Sequence, residues 1–251
     1  MRRGLVGVLV LVSLVAGACT GINPTTSARA NGVRNPYTYV ALGENGASGF
    51  HHGHQDLRSR WTQVFYRSAL RTGGVLYDLS TGAETVAEVL DGELPQALAL
   101  HPELVSVWLS TADIVAGTSP PVYEHELEHL VGAFTRTGAT VLLANAPPPD
   151  VVSALATCGP GPSACAGRGG PVPQTPALAT AVSAYNGAIA SVARATGADL
   201  VDIYSALERA ARDGGVKSLL SPDGTALSGS GATVVVHAFD AQVPSRFRPA
   251  R

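Results

Sequence analysis

Charge is scarce in this chain: Asp, Glu, Lys and Arg make up 14% of its 251 residues, against about 25% in an average soluble domain. The 17 Lys and Arg nearly balance the 19 Asp and Glu, so the basic footprint that nucleic acid binding requires is missing. Long apolar runs are missing too, and none reaches the ~20 residues of a membrane-spanning helix. There is no internal repeat and no composition break to mark a second domain. Low charge does not mean disorder here. Hydrophobic residues supply 45% of the chain, and its length is ample for one large core. Cysteine is rare, with three residues in all.

The first 18 residues read as a signal peptide. Arg2 and Arg3 precede an apolar run, Leu5 to Val15, broken only by Gly7 and Ser13, and the small residues Ala16, Gly17 and Ala18 lead to Cys19. The segment resembles a bacterial lipobox, with Ala16 where leucine is usual, in which cleavage leaves an N-terminal cysteine that carries lipid. Plain secretion after the A-x-A site of Ala16 and Ala18 is the alternative. Both place the protein outside the cytoplasm, and any membrane attachment runs through a lipid on Cys19. Residues 19–35 form a Thr-, Asn-, Gly- and Ala-rich tether. Cys158 and Cys165, in the loop CGPGPSAC, are expected to close a small disulfide in an oxidising compartment. The odd count then needs neither a reactive thiol nor a metal site.

From residue 36 to 243 strand and helix patterns alternate. Strands are expected at Tyr37–Leu42, Val75–Leu79, Leu104–Leu109, Val141–Ala144 and Leu200–Ile203. Helical spacing covers Asp56–Leu70, Thr85–Leu100 with breaks around Gly92 and Pro95, Pro121–Thr137, Pro176–Thr196, Ser205–Arg212 and Gly229–Phe239. That order predicts one three-layer α/β/α domain around a parallel, flavodoxin-like sheet of about five strands. Ala146–Gln174 reads as an irregular insertion, and residues 244–251 as a short basic tail that frays. In such a sheet ligands bind beyond the carboxyl ends of the strands.

The segments at those ends resemble the SGNH (GDSL) hydrolase family, over about Tyr37 to Phe239 and in the family's order. YVALGENGASG is similar to its opening strand and nucleophile turn, YDLSTGAET to the turn carrying an oxyanion glycine, VSVWLSTADI to a strand followed by G-x-N-D, and SPDGTALSGSGA to the D-x-x-H segment before the last helix. The resemblance implies acyl transfer or ester hydrolysis without a cofactor: a serine attacks, a histidine takes its proton, an aspartate orients the histidine, and backbone and asparagine N–H groups hold the oxyanion.

Residue by residue, that machinery is mostly replaced. The nucleophile slot is Asn45, preceded by Glu44; the oxyanion slots are Leu79 and Ala112; the base slot is Ala226. Asp223 keeps the acid slot, and Asp113 stands beside the lost asparagine. An amide is no alkoxide nucleophile and a methyl group accepts no proton. The resemblance therefore implies a catalytically degenerate member that binds a small-molecule, acyl or glycan group in the strand-end cleft. An active esterase using other residues is the alternative. Ser48 reads as a helix-start cap, and Ser80 and Ser110 as turn hydroxyls without an activating histidine. Asp113 is expected to bond nearby backbone.

Two histidine motifs remain. HELEH, His125 to His129, spells the H-E-x-x-H zinc pattern. Yet Tyr123, Leu127, Leu130, Val131 and Phe134 form the apolar stripe of that helix, which leaves both histidines on the solvent side, where the i, i+4 pair is a candidate only for a surface metal site. HHGH (His51, His52 and His54) follows the nucleophile turn and, with Asp56 or Glu44, is a candidate transition-metal loop as well as an ordinary polar one. His101 and His237 read as structural.

Overall fold

A computed structural model describes residues 36–43, 50–51, 54–55, 58, 60–80, 84–155, 176–222 and 226–250, all within one compact unit, Asn35–Arg251. In chain order the elements are β1 (Tyr37–Gly43), β2 (Phe50–His51), β3 (His54–Gln55), α1 (Trp61–Ser68), β4 (Gly74–Asp78), α2 (Val86–Asp91), α3 (Glu93–Ala99), β5 (Leu104–Trp108), α4 (Thr111–Ala116), α5 (Pro120–Thr135), β6 (Thr140–Ala144), α6 (Pro149–Leu155), α7 (Pro176–Thr196), β7 (Asp199–Val201), α8 (Ile203–Gly214) and α9 (Gly229–Gln242). The main sheet is parallel throughout, in the order β4-β1-β5-β6-β7. The five expected strands are thus present, and β2 and β3 form a separate antiparallel hairpin.

The layers follow from which strands are covered on both faces. Strand β5 is buried at every position, and the near-continuous apolar runs of β1, β5 and β6 are what double coverage demands. On one face Val40, Leu42, Val105, Val107, Val141 and Leu143 pack against α2, α3, α5 and α7. On the other, Tyr39, Ala41, Trp108, Leu142 and Ala144 pack against α1, α8 and α9. There Trp61 stacks on Phe239 at 4.6 Å between ring centroids. Edge strand β4 alternates instead, leaving Val75 and Tyr77 exposed.

Several sequence expectations need correcting. The break in Thr85–Leu100 falls at Gly92 alone, because Pro95 sits in the first turn of α3, where a missing N–H costs no helical bond. Helix α1 begins at Trp61, not Asp56, with Arg60 in an extended conformation as its N-cap residue. The insertion expected from Ala146 opens with α6. The tail does not fray: Phe247 is buried, its ring lies 5.3 Å from that of Tyr37, and its carbonyl accepts the Arg71 N–H at 2.8 Å. Among the described residues no helix is long and apolar enough to cross a membrane.

Candidate functional site

The sheet order places β1 between β4 and β5, so the connection out of β1 runs toward one edge of the sheet and the connection out of β5 toward the other. Sheets of this kind take their ligands in a crevice beyond the carboxyl ends of the strands at such a reversal. Gly43 closes β1 at this point with φ +113°, and a Cβ there would lie 2.0 Å from the Trp108 carbonyl oxygen. Glycine is therefore required where the chain turns out of the sheet. The turn that follows, with Glu44, Asn45 and Ser48, lies outside the described residues, as do His52, Asp56, Asp223 and all three cysteines Cys19, Cys158 and Cys165. The backbones of His51 and His54 are register partners in the hairpin.

Three of the five slots can be followed. The N–H of Leu79, at the first oxyanion slot, donates to Ala41 O at 3.0 Å, continuing the sheet ladder. That of Ser80 donates to Asp78 Oδ1 at 3.2 Å. Neither amide is left for an oxyanion. Ala112 is half-buried on α4 and offers a methyl group where a side-chain donor is expected. Ala226, at the base slot, is 2% exposed. Its backbone is held by Ser221: the Ala226 N–H donates to Ser221 Oγ (3.1 Å) and its carbonyl accepts the Ser221 N–H (2.8 Å). Ser80 and Ser110 are buried just past β4 and β5, the two strands that flank β1.

Asp113 is fully buried and bonds the backbone, but not nearby backbone as expected. Its Oδ2 accepts the Val86 N–H at 2.9 Å, which ties the start of α2 to α4 across 27 positions. Burial raises its carboxyl above the ordinary aspartate range. The bonds from Val86 and Thr118 oppose that shift, and the charges of Glu126 and Glu88 add to it. Behind it, Tyr185 donates to the Thr118 carbonyl at 2.6 Å and its ring lies 4.4 Å from that of Tyr123.

A second polar group at the strand ends escaped the sequence reading. Asp78 ends β4, accepts from Thr62 Oγ1 at 2.7 Å and pairs with Arg60 at 3.5 Å. The signal was available: a carboxylate closing an apolar strand lies where ligands meet such sheets. Asn145, at the end of β6, donates to Asp202 Oδ1 and accepts the Tyr204 N–H, both at 2.8 Å. Burial works against charge on Asp202, but bonds from the Ser205 N–H, the Ser205 hydroxyl and Asn145 hold its carboxyl below the ordinary range. His125 and His129 are exposed on α5, opposite the buried stripe, as expected from the periodicity. His101 and His237 are exposed too.

A family model described as the GDSL-like Lipase/Acylhydrolase family matches residues 41–238. No curated protein sequence matches the chain. Solved structures similar in fold include a lipase/acylhydrolase from Enterococcus faecalis, with TM-score 0.63 and 14% identity, covering 86% of this chain and 99% of that one. Another is a catalytic mutant of Axe2, an acetylxylan esterase from Geobacillus stearothermophilus, with TM-score 0.62 and 13% identity over 86% and 97% of the two chains. TesA aligns with TM-score 0.58 and 19% identity over 80% and 94%.

Proposed function

We propose that this chain, which belongs to the GDSL-like lipase/acylhydrolase family, has lost the serine-hydrolase mechanism and works as an exported binding protein of the bacterial cell envelope. Its ligand is a small-molecule, acyl or glycan group taken at the strand ends. The observation that carries this reading is Ala226: a buried methyl group, with its backbone amide and carbonyl both engaged by Ser221, stands at the base slot. The engaged Leu79 and Ser80 amides support it, as does the methyl group of Ala112. Members of such a unit act together, so losing base and nucleophile at once removes nearly all of the rate. Export rests on the Arg2–Ala18 leader, and attachment to the membrane on lipid at Cys19.

The test is covalent. Full-length protein is treated with a fluorophosphonate probe, and its intact mass is measured. No adduct is expected. A stoichiometric adduct on one serine would overturn the reading in favour of an esterase working through other residues, and the labelled serine would locate its site.

A further inference from the structure

We propose that the outer face of α5 chelates one divalent transition-metal ion through His125 and His129, a binding site separate from the strand-end crevice. Residues four apart on a helix are neighbours, with Cβ atoms about 5–6 Å apart. Two imidazoles so spaced can meet one ion at the ~2.0–2.1 Å of a metal–nitrogen bond. The platform is rigid: α5 runs for 16 residues and is pinned by Tyr123, Leu127, Leu130, Val131 and Phe134, each 0% exposed. Both histidines face solvent, so an ion reaches them without opening the fold.

The surrounding charge favours a cation. Helix α5 itself carries Glu124, Glu126 and Glu128 and no Lys or Arg, and α2, with Glu88 and Asp91, packs beside it. The first basic residue after His129 is Arg136, seven positions on, or about two helical turns. Such a face concentrates divalent cations. Glu126, the residue that would serve as base in an H-E-x-x-H peptidase, instead turns a buried carboxylate oxygen inward, and its charge acts on Asp113 and Tyr185. Among the described residues no cluster of three ligating side chains exists. The site therefore binds with two protein ligands and exchangeable water, and it does not hydrolyse peptides. Imidazole donors select Cu2+, Ni2+ and Zn2+ over Mg2+ and Ca2+.

Calorimetric titration of the full chain with NiCl2 or ZnCl2, its thiols alkylated beforehand, decides the matter. Wild type should take up one equivalent that H125A/H129A and the milder H125Q/H129Q both lose, or bind at least about tenfold more weakly. H51A/H54A should retain it, and MgCl2 should give no saturable heat. Because both α5 side chains are exposed, these variants keep the fold, which circular dichroism verifies. Unchanged stoichiometry and affinity in the α5 variants would overturn the proposal. So would loss confined to H51A/H54A, or failure of wild type to saturate by about 1 mM metal.

Discussion

At position 226 the segment leaves little room for a larger side chain: Ala226 is 2% exposed, and Ser221 grips its backbone on both sides. Substituting Ala226→His should therefore overpack the segment, at a cost of about 1–3 kcal/mol. Urea denaturation followed by far-UV circular dichroism measures it, and a variant as stable as wild type would mean that the slot is still roomy. Position 43 shows the opposite constraint. Gly43 has to be glycine because its φ of +113° and the approach of the Trp108 carbonyl exclude any side chain, whatever chemistry follows. Single residues differ in legibility for the same reason. The glycine at the end of an apolar strand can be read from the sequence, whereas the bond from the Val86 amide to Asp113 exists only because the first turns of α2 and α4 bring together residues 27 positions apart.

Among the elements, long periodic segments were legible and short ones were not. Helices α5 and α7 carry their apolar stripes over 16 and 21 residues, enough turns for a period to stand out. Helices α4 and α6 have six and seven residues, too few for a period, and the hairpin pairs only two residues per strand. The α2–α3 pair carries a property that no periodicity encodes. Thr85 and Glu88 form a capping box at the start of α2, and Glu84, just before it, hydrogen-bonds Glu93 at the start of α3. Burial of Glu93, that bond and the neighbouring Glu84 charge push its carboxyl up to about 7. Between the ordinary glutamate value and 7, the folded state then holds more protons than the unfolded chain, so stability must fall as pH rises through that window. Thermal melts from pH 4.5 to 8.5 should show a decline that flattens in Glu93→Gln. A Glu93→Gln profile that parallels wild type would refute the raised Glu93 carboxyl.

For the molecule as a whole, the alternation of strand and helix foretold the architecture, because double coverage of a parallel sheet leaves a compositional mark on every central strand. The site was legible in part. The strand ends were located by the strand–helix alternation, but the Arg60–Thr62–Asp78 group draws on two separate elements, and only the folded sheet reveals it. The carboxyl terminus was misread for a related reason. Its three arginines suggested a solvated tail, yet the tail's single aromatic residue decides where it lies. Phe247 packs beside Tyr37 at the start of β1, Arg71 binds its carbonyl, and Arg71 Nε also donates to the Arg246 carbonyl at 2.9 Å. The last residues thus clamp the first strand to the helix layer of α1 and α9, at the end of the sheet opposite the crevice. Removing the ring by Phe247→Ala should cost about 3 kcal/mol, which for a domain of this size lowers the melting temperature by roughly 6–12 °C. Glu128→Ala, at an exposed position on α5, should melt like wild type. If Phe247→Ala also melts within about 1 °C of wild type, the tail is an ornament and β1 is held by its sheet neighbours alone.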